Sequence, residues 1–307
     1  MKKFTLGIDV GGTNIKLGLV NTSGKVVVQK SFSTKAYRHN KNKLLEALLR
    51  AVRSLFAEEG LKKENIQGIG IGLPGLIDPV RGMVNILPNI SGWRKVPLKK
   101  IIEARLGIKT FLENDVNLIT LGEWKYGAGR GVKNLVCITL GTGVGGGLII
   151  NNQLYRGEGF AAGEVGHMPL NEKGPACGCG GYGCFERYVG NRYVLKEAAK
   201  IFNKPNIDFS DIRRFSEHGN PKALLFWKDM ATHIGNGLAG IVNLLNPTMI
   251  IIGGGISNNH KYLFPTIRQV IKRRAFKVPA SMAKIVRTRL GDAAGIIGAQ
   301  VLVNYEI

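Results

Sequence analysis

Three cysteines and one histidine lie close together near the middle of the chain, at Cys177, Cys179, Cys184 and His167. Thiolate sulfur and imidazole nitrogen are ligands that zinc prefers, and three thiolates with one imidazole fill a tetrahedral shell. A filled shell leaves no position for water, which is typical of a structural zinc site. Glycines between the cysteines permit the tight turns that would bring the sulfurs together. A disulfide with one spare thiol is the alternative, and the types and number of ligands favour zinc.

Two carboxylates, Glu164 and Glu186, frame this run of cysteines and glycines. A loop braced by a metal can hold carboxylates in fixed positions against a polyhydroxylated ligand. The alternative is that both are solvated surface charges, which is the usual environment of glutamate. The sequence by itself leaves both interpretations open.

A glycine turn near the start of the chain, Asp9-Val-Gly11-Gly12-Thr13, connects two apolar runs that are typical of strands. The N–H groups of Gly11 and Gly12 can approach phosphate oxygens closely, and Asp9 could hold a magnesium ion through water. A strand follows the turn, which excludes the strand–loop–helix pattern of a P-loop. Taken alone, the pattern fits a plain hairpin turn equally well.

A second copy of this hairpin favours a phosphate-binding turn over a plain one, because residues 138–151 align without gaps on residues 8–21. The repeat predicts two similar α/β domains, each with a hairpin that grips phosphate, facing each other across a cleft. This is the architecture of the actin-like ATPase and sugar kinase fold. We expect a small N-terminal domain at 1–116 and a large domain with the cysteine loop at 117–291. The last helix, about 292–307, is expected to pack back on the first domain.

Asp115 follows a short predicted strand, 108–112, and opens a predicted helix that ends near Tyr126. An acid at the end of a strand and the start of a helix is well placed to face a cleft. Aspartate is also an ordinary helix N-cap, and position alone favours that role. Gly254 and Gly255 follow another predicted strand, 249–252, and allow close approach of a ligand or form a tight turn. The remaining helices are predicted at 43–59, 96–106, 188–201 and 221–245.

Composition describes an ordinary globular protein with an unusual charge. Of the 307 residues, 44% are hydrophobic and 21% are charged, and no apolar run reaches the length of a membrane span. The net charge is +22, but the basic residues are scattered and accompany no nucleic-acid-binding motif. We therefore expect no membrane or nucleic-acid partner. The four cysteines, three of them in the metal candidate, favour the reducing cytoplasm.

Together these motifs resemble the ROK family of repressors and sugar kinases over almost the whole chain. The matching motifs are Asp9-Val-Gly-Gly-Thr13, Glu113-Asn-Asp115, Leu140-Gly-Thr-Gly-Val-Gly145, Glu164-Val-Gly-His167 and Cys177-Gly-Cys-Gly-Gly-Tyr-Gly-Cys-Phe-Glu186. The last two motifs, in this order, are highly specific.

The resemblance implies a role for each matching residue. Asp115 would be the general base that accepts the proton of a sugar hydroxyl as it attacks the γ-phosphate of ATP. His167 would serve both the sugar and the zinc ion. The implied sugar contacts are Gly75, Asn89, Asn114, Asp115, Glu164, His167 and Glu186. The implied contacts to ATP and its Mg²⁺ are Asp9, Gly11, Gly12, Thr13, Lys16, Gly141, Thr142, Gly143, Gly254 and Gly255.

The implied activity is ATP-dependent phosphorylation of a hexose at its 6-hydroxyl, with glucose expected first. An N-acetylhexosamine kinase, acting on N-acetylmannosamine or N-acetylglucosamine, is the alternative, and no residue separates the two. Sugar-responsive repressors of the family carry a winged helix before the first motif, whereas only eight residues precede Asp9 here. A polyphosphate glucokinase would suit the basic surface, but relatives of that type generally lack the cysteine cluster. The resemblance also implies a homodimer.

Overall fold

Two five-stranded sheets organise the chain in a computed structural model that describes residues 3–37, 40–87 and 92–306. Asn89, one of the predicted sugar contacts, lies outside the described residues. None of the helices in the described ranges is both long and apolar enough to cross a membrane.

The first sheet is built around a buried apolar strand, β1 (Phe4–Val10), which continues into the first glycine hairpin. The elements up to the middle of the chain are β1, β2 (Asn14–Asn21), β3 (Val26–Ser33), α1 (Lys41–Glu58), β4 (Ile66–Leu73), β5 (Leu76–Asp78), β6 (Met83–Ile86), β7 (Arg94–Val96), α2 (Leu98–Leu106), β8 (Thr110–Asn114) and α3 (Asp115–Tyr126). The sheet order is β3-β2-β1-β4-β8, and a separate three-stranded sheet has the order β5-β6-β7. Helix α1 packs its leucines on the first core cluster, which includes Leu48, Leu49 and Ile71.

The second sheet begins at the repeated hairpin. Its elements and the helices around it are β9 (Leu135–Leu140), β10 (Val144–Ile150), β11 (Gln153–Tyr155), α4 (Glu186–Val189), α5 (Asn191–Ile201), α6 (Phe209–Glu217), α7 (Pro221–Leu245), β12 (Met249–Gly253), α8 (His260–Arg274), α9 (Lys277–Met282), β13 (Lys284–Arg287) and α10 (Ala294–Glu306). Helix α7 is the centre of the second core, with Trp227 and Ile234 at most 1% exposed.

The two sheets share one topology. In the first, β1 pairs antiparallel with β2 and parallel with β4, and β4 pairs parallel with β8. In the second, β9 pairs antiparallel with β10 and parallel with β12, and β12 pairs parallel with β13. The central strand β1, which carries Asp9, is therefore equivalent to β9, and β4 is equivalent to β12, which ends at Gly253. The duplicated hairpin in the sequence therefore corresponds to a duplicated sheet.

Helices α3 and α10 lie side by side between the sheets, with their backbones in direct contact. A Cβ atom at Gly122 would lie 2.5 Å from the Ala294 carbonyl oxygen, and one at Gly298 would lie 1.8 Å from that of Leu118. Helix α10 also packs on β1 and β4, where Ile296 covers Gly7. The boundary predicted at 116/117 falls inside α3, which contacts both sheets, and the domain limits stay a prediction.

Two sequence predictions of local structure were wrong. The helix predicted at 188–201 is two helices, because Gly190 between α4 and α5 is extended, at φ −68° and ψ 135°. A Cβ there would lie 2.9 Å from the Glu186 carbonyl oxygen, so the chain turns where only glycine fits. The helix predicted at 96–106 begins at Leu98, because Val96 ends β7, a strand whose three residues are too few to give an alternating pattern.

Candidate active site

The junction of β8 and α3 places Asp115 at the first helical position. Asn114 is the N-cap, and its Oδ1 accepts hydrogen bonds from the N–H groups of Val116 at 2.9 Å and Asn117 at 3.3 Å. The capping role that position favoured for Asp115 therefore belongs to Asn114, although Asp115 Oδ1 also accepts from Val116 at 2.9 Å. The Asn114 amide donates to the Gly75 carbonyl oxygen at 3.3 Å. Two predicted sugar contacts, Gly75 and Asn114, are thus hydrogen-bonded to each other beside Asp115.

The carboxyl group of Asp115 lies in a strongly perturbing environment. Burial, together with the negative charges of Asp9 and Glu164, raises its pKa to about 7, against hydrogen bonds that lower it. These electrostatic effects show that carboxylates from three separate segments converge here. A carboxyl group with a pKa near neutrality can accept a proton at physiological pH, as a general base must.

Asp9 is the second-last residue of β1 and lies against the start of α10. A Cβ at Gly295 would lie 2.8 Å from Asp9 Oδ2, so the missing side chain makes room for the carboxylate. Burial raises the pKa of Asp9; Lys16 lowers it, and Asp292 raises it. Lys16 Nζ donates hydrogen bonds to Asp292 Oδ1, at 3.0 Å, and to the Asp292 carbonyl oxygen. Asp292 is therefore part of the site, although its place at the start of the last helix gave no sign of this role.

The first glycine turn is closed by a hydrogen bond from Gly11 N–H to the Asn14 carbonyl oxygen at 2.9 Å. Thr34, directly after β3, fixes the turn, because its hydroxyl donates to the Gly11 carbonyl and its N–H donates to the Thr13 carbonyl. Gly12 and Thr13 are exposed at the tip of the turn. The tip is thus open to an incoming ligand while its base is fixed.

The second glycine turn is closed in the same way, by Gly141 N–H donating to the Gly143 carbonyl oxygen at 2.9 Å. Asn191 N–H, at the start of α5, donates to the Gly141 carbonyl at 2.9 Å. Gly254 lies beside this turn with φ +81°, and a Cβ there would lie 2.1 Å from the Leu140 carbonyl oxygen. Gly255, which has open space around it, begins the short 3-10 helix that follows. Thr142 lies at the tip of this turn and is exposed.

Glu186 connects the cysteine loop to the second turn. Its Oε2 accepts a hydrogen bond from the N–H group of Val144 at 2.9 Å. A Cβ at Gly143 would lie 2.4 Å from the same oxygen, so glycine is required for this approach. Glu164, on the other side of the cysteine loop, is exposed, and its charge reaches Asp115. The two glutamates that frame the loop are therefore not both free surface charges, since Glu186 is fixed by a backbone bond.

The three cysteines and His167 converge as the sequence predicts. Their four ligand atoms all lie within 4.8 Å of one another. Cys179 and Cys184 sulfurs are 3.6 Å apart, and His167 Nδ1 is 3.8 Å from the Cys177 sulfur. A tetrahedral zinc shell with Zn–S bonds of about 2.3 Å has edges of about 3.8 Å, so the arrangement fits this ion. None of the four cysteines forms a disulfide in this structure.

The sequence analysis assigned no role to two buried carboxylates near the site, Glu113 and Glu123. Glu113 is 2% exposed, pairs with Arg156 Nε at 2.6 Å and accepts hydrogen bonds from Asn114 N–H and the Asn117 amide. Glu123 is fully buried and accepts from three backbone N–H groups, those of Ala128, Arg289 and Leu290. Through Glu123, α3 holds the loop that carries Asp292. For Glu123 the sequence offers one signal: an acidic residue on the buried face of a predicted helix, where charged residues are rare.

Comparison with known proteins agrees with this geometry. A model of the ROK family matches residues 5–306. The glucokinase of Streptomyces coelicolor is 35% identical over 315 aligned positions, which cover 96% of each chain. The xylose repressor of Caldicellulosiruptor bescii is 31% identical, and the match covers 98% of this chain but 78% of the repressor.

The fold is also that of a solved ROK family glucokinase from Streptomyces griseus in complex with glucose and AMPPNP. The TM-score is 0.83 at 32% identity, with 98% of this chain and 99% of that chain covered. This likeness confirms the predicted actin-like ATPase and sugar kinase fold. With a family model matching nearly every residue, the chain belongs to the ROK family.

Proposed function

We propose that this protein transfers the γ-phosphoryl group of ATP to the 6-hydroxyl of a hexose, with glucose as the preferred acceptor. The observation that carries the proposal is the carboxyl group of Asp115, whose pKa is about 7 beside the charges of Asp9 and Glu164. Phosphoryl transfer requires mainly alignment and charge stabilisation, with one carboxylate to accept the hydroxyl proton. Asp115 is that base, and the nearby glucokinases support the choice of glucose.

The sugar lies against Asp115 and is oriented by Asn114, Glu164, His167 and Glu186. Asn114 has its Oδ1 committed to the helix cap, so its amide nitrogen and the Gly75 backbone face the acceptor. His167 directs Nδ1 toward the cysteines, which leaves its second ring nitrogen for a sugar hydroxyl. The two glycine turns hold the phosphates from opposite sides, with Gly254 and Gly255 beside the adenosine.

Two metal ions complete the proposal. A structural zinc ion is held by His167 and the three cysteines, because their donor atoms fit a closed tetrahedral shell. Mg²⁺ accompanies ATP and is held near Asp9, since Asp9 raises the pKa of Asp115, Asp292 raises the pKa of Asp9, and clustered carboxylates favour a cation between them. When bound, Mg²⁺ supplies charge neutralisation at the transferring phosphate. A homodimer stays a prediction.

The test is a coupled assay with ATP and Mg²⁺ over glucose, mannose, fructose, N-acetylglucosamine and N-acetylmannosamine. We expect the highest kcat/KM with glucose and a product phosphorylated at the 6-hydroxyl. A clear preference for an N-acetylhexosamine would move the assignment to that alternative, and the absence of product from every sugar would refute the kinase.

Asp115→Asn separates the base from the binding site, because it keeps the shape and removes the proton acceptor. We expect kcat to fall by about 10²–10⁴-fold with nucleotide binding unchanged. Asp208→Asn is the matched control, since Asp208 caps α6 far from the site and asparagine caps equally well. A variant at position 115 that keeps the activity of this control would exclude the base role.

A further inference from the structure

A cavity of about 650 Å³ opens between α5 and α7. It is lined by Arg187 and Tyr188 of α4 and by Pro175 of the cysteine loop, but not by Glu186. A volume of this size is typical of sites for small molecules, which occupy about 300–1,000 Å³. None of the residues assigned to sugar, nucleotide or metal lines this cavity.

Three cations face the cavity without a carboxylate partner among the described residues: Arg187, Arg192 and Lys196. Arg187 stacks its guanidinium on the Tyr193 ring at 3.7 Å from the centroid. Its Nε is buried and has no hydrogen-bond partner. A buried donor without an acceptor destabilises the folded state.

The rest of the lining differs in chemistry. Glu197 and Asp229 present carboxylates that accept hydrogen bonds from hydroxyl groups. Tyr188 stacks on His233 with 4.8 Å between ring centroids, which gives the cavity an aromatic side. Cations, carboxylates and aromatic rings together match a phosphate, several hydroxyls and the C–H face of a sugar ring.

We propose that this cavity is a binding site for a small sugar phosphate, separate from the active site. The phosphate contacts Arg187, Arg192 and Lys196, because guanidinium and ammonium groups form strong charge-assisted hydrogen bonds with phosphate oxygens. The hydroxyls contact Glu197 and Asp229. The site does not depend on phosphoryl transfer, so its binding is measurable whether or not the kinase assignment holds.

An occupant would act on a helix shared with the active site. Arg187 N–H donates to the carbonyl oxygen of Cys184, the last cysteine of the cluster, at 2.9 Å. Glu186, the preceding residue of α4, holds Val144 of the second glycine turn. A ligand that displaced Arg187 would therefore act on the residue next to Glu186, whose contact with Val144 fixes the second glycine turn.

The test is calorimetric titration of glucose 6-phosphate into the full chain, with the active site filled by glucose and AMPPNP at saturating concentrations. We expect one further site per chain, with affinity reduced by about tenfold or more in Arg192→Gln/Lys196→Gln. Lys222→Gln is the control, because it removes one exposed charge from α7 outside the cavity. Arg187→Gln is the second variant, with thermal unfolding measured to show that it folds.

Two further titrations distinguish the parts of the ligand. Inorganic phosphate and glucose alone should each bind this site more weakly than glucose 6-phosphate, since each satisfies only part of the lining. Equal binding of phosphate alone would refute the sugar phosphate assignment. Absence of binding with the active site filled, or binding that the cavity variants leave unchanged, would refute the site itself.

Discussion

Glu186 accepts a hydrogen bond from the backbone N–H of Val144 at 2.9 Å, and this contact joins the cysteine loop to the second glycine turn. Val144 is 5% exposed, so few water molecules could replace the carboxylate. The residue proposed to bind the sugar therefore also fixes the turn proposed to bind phosphate. Sugar and nucleotide affinities should then change together when Glu186 changes.

Glu186→Ala is expected to raise KM for both sugar and ATP, by about tenfold each, because the buried Val144 N–H loses its acceptor. Glu186→Gln keeps an oxygen that can accept this bond and should raise KM for ATP much less. Steady-state kinetics with each substrate varied in turn makes the measurement. Glu172→Ala, an exposed glutamate of the same loop, serves as the control. An increase confined to the sugar KM would contradict the coupling through Val144.

Asp115→Asn is expected to stabilise the folded chain, and the gain should depend on pH. Burial raises the Asp115 pKa from 3.8 to about 7, so the folded state favours the protonated carboxyl. The stability that this group contributes is complete below the unfolded pKa and is lost as pH rises toward 7. Asparagine resembles the protonated form, so its advantage should grow by about 1.4 kcal/mol per pH unit over that range and then level off.

Urea unfolding of Asp115→Asn and of the wild type between pH 5 and 8, in buffer without magnesium, measures the difference in their free energies of unfolding. Asp208→Asn is the control, because hydrogen bonds from Ser210 and from the Asp211 N–H lower the Asp208 pKa below 3.8, so its difference from the wild type should stay constant from pH 5 to 8. A difference between Asp115→Asn and the wild type that stays constant from pH 5 to 8 would contradict the raised pKa.

Much of the architecture could be predicted because it depends on local patterns that recur. The hairpin repeat predicted the duplicated sheet, and the limits predicted for α7 match the structure, since Asn220 caps it and Pro221 opens it. The cysteine cluster could be predicted for the same reason, because its ligands are close in sequence. These features require no knowledge of distant contacts.

What escaped prediction depends on contacts between distant segments. Asp292 meets Lys16 across 276 positions, and Glu123 meets Arg289 across 166. Neither pairing leaves a local pattern, because a single acid in a loop or a helix is usually a surface charge. The capping role was assigned to the wrong neighbour, Asp115 rather than Asn114, because both residue types are good caps and only the β8 boundary separates them.

Removal of zinc is expected to lower the stability of the chain. Purified protein should contain one zinc ion, and Cys179→Ser should lose it together with about 5 °C or more of Tm, because metal binding is coupled to folding of the loop. Sugar KM should rise as well, since His167 loses its anchor. Metal analysis and thermal unfolding make the measurements. Cys137→Ala is the control, because Cys137 lies in β9 outside the cluster and its loss should leave the zinc content unchanged. Zinc-free protein with the stability of the zinc-loaded form would contradict a structural role.

Gly298→Ala is expected to destabilise the chain by several kcal/mol, because α10 and α3 touch at their backbones. The new Cβ would lie 1.8 Å from the Leu118 carbonyl oxygen, a distance that can be relieved only by moving a helix apart from its neighbour. Since α3 begins at Asp115 and α10 begins beside Asp9, separation of these helices should also lower kcat. Gly159→Ala is the control, because an added Cβ there meets nothing within 4 Å. Urea unfolding of the two variants gives the comparison, and equal stability would show that the helices can separate without loss.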